Sequence, residues 1–536
     1  MSFYLAKSGE IVMEADFSFH ASKVQQIFEN LKEGKIFTFI ATNTFQHTGV
    51  GNFLFYPSVF LYPWAILKFF LNPIDAYYCW IGLITFSTFL ISYFCMMKFS
   101  ENTFRSLVFS YIYVLAPYRL FVSLGTHGEL LTATFLPIVF LGLYNIVYGD
   151  YDKWYVLSIG LALVSYGHIL SIFIIFEIFV GLLFLKFIFG NSISFKRIKF
   201  LIKSAFLTLL LVLPILIPFL TDLLGQNIIK PYRGIGLTTD PFNVFQMSIN
   251  NGLGFSVGLI LLVFLLTGWL FVKQPNRIYY YMGLALTIIS TTIFPWHLFN
   301  NTILATVQIT YRYILYASFF LSVSISGELQ SITYKEFYKK FNDKSILIFG
   351  LVIMSAGFLL YCSSFSEYYS KLNSTSSEEY LKKPEGNKVP NLSYTKLDKN
   401  NYNDLFYYQV SNGERDYYPQ KSFDNSESII NNISYLNGKS TKITPKYKDN
   451  KIIYRIKLKG DTVVDLPTIV YKNTYVRINH KKANFEDSSR GTVFVNLNKG
   501  LYNIEVGYKP PIIYFIGILI SVLTWIYILL FYFKSR

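Results

Sequence analysis

The chain has 536 residues, of which 52% are hydrophobic and only 15% are charged. Soluble proteins usually carry about 25% charged residues, so the composition excludes an ordinary soluble protein and favours a polytopic membrane protein with one polar module. The formal net charge of +16 comes partly from basic residues in short loops between apolar runs, which indicates membrane topology rather than nucleic-acid binding. Because Cys79, Cys95 and Cys362 all lie in apolar segments, neither a disulfide framework nor a zinc site is expected.

Residues 1–75 are predicted to form an outer loop with an acidic motif and interfacial helices. Glu14 and Asp16 lie two residues apart, ahead of a basic amphipathic stretch. Such a pair suits a divalent cation held against a phosphate, or a base that deprotonates a hydroxyl group. The same spacing occurs in Asp150-Tyr151-Asp152, where we expect only a solvated loop.

Residues 76–365 are predicted to form a transmembrane helical bundle, and residues 510–536 a last helix with a cytoplasmic tail. Apolar runs long enough to cross a bilayer, about eleven in number, lie at 76–97, 106–124, 130–148, 154–170, 171–190, 202–221, 252–272, 278–294, 311–330, 345–364 and 511–532. Gly167-His168 is the predicted turn between two of them.

The distribution of Lys and Arg between the loops predicts the orientation. One side receives most of the basic residues, including Lys196, Arg197, Lys199 and Lys203 in a single loop, and is therefore expected to be cytoplasmic. The opposite short loops hold only Arg119, Lys230, Arg233 and Arg312. The N-terminus and residues 366–509 are then predicted to face outward, on the side of the membrane opposite the cytoplasm.

Residues 366–509 are rich in Asn, Ser, Lys and Tyr and differ sharply from the apolar runs. From about residue 450 apolar residues alternate with polar ones, which is typical of half-buried strands. Turn residues such as Asn479-His480 separate these strands. We therefore expect an extracytoplasmic antiparallel β-sandwich before the last helix, with a less regular part at 371–450.

Several ionisable side chains lie at predicted outer loop ends, where they are costly unless they have a role. Arg119 and Arg312 suit a lipid phosphate, because a guanidinium offers paired donors and stays charged. Residues from distant loops are expected to converge on one outer cleft. The alternative for each residue is a solvated loop end, or for the arginines a side chain that extends to the interface.

Several segments resemble the bacterial YfhO-type membrane proteins, also described by the label 6-pyruvoyl-tetrahydropterin synthase-related domain. They are Glu14-Ala15-Asp16-Phe17-Ser18-Phe19-His20 with Lys23, Phe55-Tyr56-Pro57, Ala116-Pro117-Tyr118-Arg119 with Glu129, Gln308 with Tyr311-Arg312, and Asp465-Leu466-Pro467 through Gly500-Leu501-Tyr502-Asn503-Ile504. The resemblance extends over most of the chain.

This resemblance implies a branch of the C-type glycosyltransferase (GT-C) superfamily. It implies an integral membrane enzyme that transfers a sugar from a polyprenyl-phosphate donor to a cell-envelope acceptor on the outer face. By the same resemblance, Asp16 is the candidate base and Glu14 its neighbouring carboxylate or metal contact, with a divalent cation as a candidate cofactor. The other candidate substrate-binding residues are His20, Arg119, Glu129, Gln308 and Arg312. The sequence also has no Gly-rich loop or Rossmann fingerprint for a nucleotide donor.

The sequence departs from the superfamily pattern in two places. The superfamily has a membrane helix before the acidic loop, whereas only fifteen residues precede Asp16 here, so a misassigned start or a truncation is expected. Thr310-Tyr311 stands where the family has Pro-Trp.

Two other functions remain open at this stage. A lipid or polysaccharide transporter predicts polar residues along a central pathway, but ionisable residues within the apolar runs are nearly limited to Glu177 and Glu328. A non-catalytic envelope assembly factor predicts that the outer loop residues tolerate substitution. The identities of the sugar and of the acceptor glycan or glycolipid, and the oligomeric state, are not encoded in any pattern we recognise.

Overall fold

The computed structural model describes residues 2–188, 194–229, 235–332, 343–374, 396–408 and 414–534. The chain is mostly helical. Its α-helices span Ser2–Ser8, Phe17–Lys32, Asn52–Phe55, Tyr62–Leu67, Pro73–Ser100, Thr103–Val114, Pro117–Leu124, His127–Val147, Tyr155–Gly167, Ile169–Ile188, Phe195–Leu211, Leu213–Leu223, Pro241–Ile249, Leu259–Thr267, Arg277–Ile289, Tyr313–Ile332, Asp343–Ser374, Leu405–Tyr408, Gln420–Asp424, Ser426–Ile430 and Ile512–Lys534.

The strands lie mainly near the C-terminus. They are β1 Glu10–Val12, β2 Lys396–Asp398, β3 Ile433–Leu436, β4 Lys439–Lys442, β5 Lys446–Lys448, β6 Lys451–Leu458, β7 Thr462–Ile469, β8 Thr474–Ile478, β9 Lys481–Ala483, β10 Glu486–Asp487, β11 Thr492–Leu497 and β12 Gly500–Tyr508. Residues 375–395 and 409–413 of the predicted β-rich segment lie outside the described residues, as do Lys230 and Arg233.

The chain divides into two compact units. The helical unit comprises residues 81–208 and 232–374, and the mixed unit comprises residues 2–80, 209–231 and 375–536. The N-terminal segment and the β-rich segment therefore belong to one unit, a grouping that the sequence did not suggest. The four domain boundaries derived from the sequence remain predictions.

Among the described residues, fewer helices are long and apolar enough to cross a membrane than the sequence predicts. Within the described residues, the helices Pro73–Ser100, His127–Val147 and Ile512–Leu530 satisfy both criteria. Two bent pairs bring the number to five, and they bend by 49° after Val114 and by 72° after Leu211. The predicted number of eleven crossings is therefore not confirmed, although at least one helix overlaps each predicted run.

Close helix packing in the helical unit depends on glycine. The helix Tyr155–Gly167 packs on His127–Val147, and a Cβ at Gly160 would lie 2.7 Å from the backbone nitrogen of Val139. That distance is below any normal contact between these atoms. The two backbones can approach this closely only because Gly160 has no side chain.

Replacing Gly160 by Ala is therefore expected to lower the thermal stability of the detergent-solubilised protein. The clash involves backbone atoms, so relief requires the helices to move apart, at a cost of about 1–3 kcal/mol. Gly181→Ala is the matched control, because a Cβ at that helical glycine would meet no atom within 4 Å. Equal melting temperatures for the two variants, measured by differential scanning fluorimetry, would contradict the packing argument.

The β-rich part of the mixed unit contains two five-stranded antiparallel sheets. One has the strand order β10-β11-β7-β3-β4 and the other β5-β6-β12-β8-β9. Along β6, Ile452, Tyr454, Ile456 and Leu458 are buried and join one apolar core. This confirms the predicted alternation. Positive φ values at Asn479 and His480 likewise match the predicted turn.

A second core connects the N-terminal segment with the β-rich part inside the mixed unit. Phe19, Phe45 and Phe55 pack in one cluster with Tyr418 and Tyr471. Strand β1 also pairs antiparallel with β2. The predicted acidic loop is thus fixed on both sides by residues far away in the sequence.

Candidate functional site

The acidic motif lies on a strained turn in the mixed unit. Ala15 has a φ of +43°, a conformation that costs an L-residue roughly 1–2 kcal/mol. Ala15 is exposed, and the flanking Glu14 and Asp16 are half-buried. Asp16 is the N-cap residue of the helix Phe17–Lys32, but its side chain makes no capping hydrogen bond with that helix. Strain of this kind concentrates at functional sites, which makes the turn a candidate site.

One face of the helix after the motif carries His20 and Lys23, one turn apart. Both side chains are buried. The His20 ring packs edge-on against Tyr56 at 5.6 Å between centroids. Lys23 Nζ donates a 2.7 Å hydrogen bond to the Tyr56 carbonyl and lies 4.9 Å from the ring centroid of Phe53. Burial lowers the pKa of the Lys23 ammonium well below its usual value.

Tyr417 packs against the same helix. Its ring stacks on Phe19 with 6.0 Å between centroids. Burial raises the pKa of the Tyr417 phenol well above its usual value, and the nearby negative charge of Asp16 raises it further. The phenol therefore stays protonated near the acidic motif. No local pattern points to this residue, which lies about 400 positions after the motif in the chain.

A second buried lysine, Lys68, contacts another side of the helix Phe17–Lys32. Lys68 Nζ donates a hydrogen bond to Gln25 Oε1 and lies 4.8 Å from the ring centroid of Phe28. The residue is only 9% exposed. Burial lowers its pKa from 10.5 to about 7, and the charge of Glu29 opposes that change.

The low pKa of Lys68 predicts a pH-dependent stability. Between pH 7 and about 10.5 the unfolded chain binds more protons than the folded chain, so the stability rises with pH across this window. Below it the buried charge costs about 5 kcal/mol. Lys68→Met is expected to raise the melting temperature most at pH 6–7, with a gain that shrinks towards pH 10. Lys459→Met, at an exposed lysine between β6 and β7, is the control, and a pH-independent gain for Lys68→Met would contradict the argument.

The helical unit brings three of the predicted site residues together. Arg312 Nε donates to Glu129 Oε1 at 2.9 Å, in an ion pair whose side chains are 11% and 6% exposed. Arg312 Nη1 donates to the Val307 carbonyl at 2.7 Å and to Gln308 Oε1 at 3.4 Å. Tyr118 donates to the second oxygen of Glu129 at 2.7 Å. The sequence did not reveal that Glu129 is the partner of Arg312.

Gln308 gives this cluster a second strained position. Its φ is +62°, again in the left-handed region that an L-residue enters only at a cost. Gln308 directly follows a short 3-10 helix, Ile303–Val307. Arg312 is the last residue of the next 3-10 helix, Thr310–Arg312, and directly precedes the helix Tyr313–Ile332. Ala15 and Gln308 are two of the twelve non-glycine residues with a positive φ in the described part of the chain, and both lie in motifs that the sequence singled out.

Arg119 lies apart from that cluster, within the same unit. Its guanidinium donates to Thr88 Oγ1 at 3.0 Å and to the Val114 carbonyl at 3.4 Å, and the residue is 1% exposed. No hydrogen bond joins it to Glu129, Gln308 or Arg312 in the described part of the chain. In this conformation Arg119 has no surface for a ligand, whereas Arg312 retains some. The roles of all these residues remain predictions.

A metal at the acidic motif would need ligands besides Glu14 and Asp16. Among the residues that the structure describes, no three His, Cys, Asp or Glu side chains group in a way that could hold a metal ion. Glu14 and Asp16 still suit Mg²⁺, which is commonly bound through one or two carboxylates together with substrate phosphates and water. The pair therefore fits a cation that arrives with a phosphate-bearing substrate.

No protein-family model and no curated protein matches the chain. Among solved structures it resembles ArnT from Cupriavidus metallidurans. The apo structure aligns with a TM-score of 0.41 at 10% identity, over 61% of this chain and 59% of the ArnT chain. The structure bound to undecaprenyl phosphate aligns with a TM-score of 0.44 at 10% identity, over 76% and 83%.

These likenesses are too weak for an argument about activity. The alignment with apo ArnT spans less than two thirds of that protein. The resemblance to YfhO-type proteins and to the 6-pyruvoyl-tetrahydropterin synthase-related domain is not confirmed by any family model. The function has to be argued from the residues themselves.

Proposed function

We propose that the chain is an integral membrane glycosyltransferase of the C type, which transfers a sugar from a polyprenyl-phosphate donor to a cell-envelope acceptor. The observation that carries the proposal is the strained turn at Ala15, which holds Glu14 and Asp16 half-buried at the start of a helix. The same helix carries the buried His20 and Lys23, which contact the aromatic residues Tyr56 and Phe53. Carboxylates so placed suit acid–base chemistry on a hydroxyl group.

In the proposed reaction Asp16 is the general base. The acceptor hydroxyl oxygen attacks the anomeric carbon while the bond from that carbon to the phosphate oxygen breaks. Asp16 takes the hydroxyl proton, and the electron pair of the broken bond leaves with the polyprenyl phosphate. Glu14 is proposed as the second carboxylate, which orients the acceptor or a cation.

Phosphate contacts are proposed in the helical unit. Arg312 is positioned by Glu129 and Gln308, and its Nη2 group makes no hydrogen bond with the described residues. A positioned guanidinium stabilises the charge that develops on a leaving phosphate. Arg119 is proposed for the same role only if its side chain leaves its buried position beside Thr88.

A lipid-linked donor agrees with the apolar spanning helices of the chain. A polyprenyl phosphate presents its head group at the membrane surface, and the sequence has no phosphate loop for a nucleotide donor. Undecaprenyl phosphate, the ligand of the second ArnT structure, belongs to this donor class, but a likeness of that TM-score adds nothing to the case.

The proposal is tested by mass spectrometry of cell-envelope glycans. We would compare host cells that carry the wild-type chain, the Asp16→Asn variant at equal membrane abundance, or no copy. A hexose or N-acetylhexosamine present only with the wild-type chain is the expected result. Identical glycans in all three, from a host known to need the gene, would overturn the transferase and favour a transporter or an assembly factor.

A further inference from the structure

An open groove of about 610 Å³ lies on the sheet that contains β3, β7 and β11. Its floor is one row of cross-strand neighbours, in which Asp465 of β7 pairs with Tyr435 of β3 on one side and with Phe494 of β11 on the other. All three side chains are half-buried. The volume is within the range of small-molecule sites, about 300–1,000 Å³.

The centre of the groove is rigid. Arg490, only 5% exposed, donates to both carboxylate oxygens of Asp465, from Nε at 2.9 Å and from Nη2 at 2.8 Å. Its Nη1 donates to Ser428 Oγ at 3.1 Å, and its guanidinium carbon lies 4.6 Å from the ring centroid of Tyr435. A bidentate pair with a stacked ring fixes each polar group before a ligand arrives. Such preorganisation lowers the entropic cost of binding.

The rim of the groove is acidic. Asp424 and Glu427 line it with exposed carboxylates, and Asn425 lies between them in the chain. Arg490 is the only basic residue among those that line the groove, and Asp465 balances its charge. The remaining charge is negative, so the groove favours neutral or positively charged ligands over anions.

The position of the groove argues against an added peptide strand. Peptides that extend a sheet pair with an edge strand, whereas this groove covers the three inner strands, with β4 and β10 at the edges. What it offers is a half-exposed ring at Phe494 with carboxylate, amide and hydroxyl groups around it. A flat apolar face beside many hydrogen-bonding groups matches a sugar ring, which has an apolar C–H face and a rim of hydroxyls.

We infer that this groove binds a short saccharide, with a preference for amino-bearing over acidic sugars. Phe494 stacks against the sugar ring, Asn425, Ser489 and Asp465 hydrogen bond its hydroxyls, and Asp424 and Glu427 attract an amino group. The binding itself is independent of the proposed reaction, but the assignment of this saccharide as part of the acceptor rests on the proposed function.

The test uses the purified full-length protein in detergent and isothermal titration calorimetry without any donor. The probes are a glucosamine disaccharide, its N-acetylated form and a glucuronic acid disaccharide. The glucosamine disaccharide is expected to bind most tightly, its N-acetylated form less tightly, and the glucuronic acid disaccharide most weakly. Phe494→Ala should weaken binding of the first two about tenfold, the loss expected for one well-packed aromatic contact. Glu427→Gln should weaken only the amino sugar.

Matched controls lie outside the groove. Leu501→Ala removes an exposed apolar side chain, 72% exposed, from β12 of the other sheet, and Asp461→Asn neutralises an exposed carboxylate at a turn. Neither should change the affinity. If Phe494→Ala does not fold, the exposed Glu427→Gln still decides. Absent binding, tightest binding of the acidic sugar, or equal losses in variants and controls would overturn the inference.

The experiments distinguish a failure of the inferred saccharide binding from a failure of the proposed sugar transfer. A protein that binds the amino disaccharide but transfers no sugar in the glycan comparison would keep the groove and overturn the proposed function. A protein that transfers sugar but binds none of the probes would keep the proposed function and overturn the inference about the groove.

Discussion

Replacing Asp16 by Asn is expected to lower kcat for sugar transfer by about 10²- to 10⁴-fold, the usual contribution of a positioned acid–base group. The amide has nearly the same shape as the carboxylate but takes up no proton. The substitution leaves the Ala15 backbone and the size of the Asp16 side chain unchanged, so the fold should persist. The KM for the lipid donor should change little, because the proposed role arises only in the transition state.

The chain provides a control with the same spacing. Asp152→Asn alters the second member of Asp150-Tyr151-Asp152, an exposed turn in which Asp150 caps a short 3-10 helix. That variant should retain full activity. The activity of Glu14→Gln should lie between those of Asp16→Asn and Asp152→Asn, because Glu14 is proposed to orient the acceptor or a cation rather than to take the proton. Equal rates for Asp16→Asn and wild type, measured with purified protein and a synthetic polyprenyl-phosphate sugar, would remove Asp16 from the reaction.

Local patterns were sufficient to predict where helices and strands form. At least one helix overlaps each predicted apolar run, and the break at Gly167-His168 is present, since one helix ends at Gly167 and the next begins at Ile169. Period-two alternation along β6 and β12 also agrees with their burial. Such patterns succeed because burial of a strand or helix face is encoded within a few residues.

The lengths and bends of the helices were harder to predict. The run at 252–272 contains only the helix Leu259–Thr267, because Gly254 and Gly258 have φ values of +123° and +88°, which no helix allows. The bend between Val114 and Pro117 had a visible signal, since proline cannot continue a helix that precedes it. A hydropathy count ignores both signals and merges the pieces into one crossing.

The candidate site was predicted in part, because the motifs are local and their partners are not. Glu14, Asp16 and Gln308 stand out in the sequence, and the structure gives the backbone at Ala15 and Gln308 a strained conformation. The ion pair of Glu129 with Arg312 joins residues 183 positions apart. A single sequence carries no pattern for such a contact, nor for the burial of Lys23 and Lys68.

Breaking the pair of Glu129 and Arg312 should have the largest effect on stability. Glu129→Ala leaves the guanidinium with 11% exposure and no carboxylate partner, and it also removes the acceptor for the Tyr118 hydroxyl. The loss of one partner of a buried ion pair costs about 3–5 kcal/mol. We expect a large fall in melting temperature in detergent. Lys153→Ala, which breaks the exposed pair with Asp150 and leaves the Asp150 cap in place, should have almost no effect.

A double variant separates the structural role of the pair from its proposed role in donor binding. Glu129→Leu with Arg312→Met removes both charges, and a buried ion pair replaced by apolar groups of similar size is often neutral for stability. The double variant should therefore recover most of the stability lost in Glu129→Ala. It should not recover sugar transfer, because the guanidinium proposed to contact the phosphate is gone. A double variant that is both stable and active would show that Arg312 serves only the fold, and the phosphate contact would then have to be sought elsewhere in the helical unit.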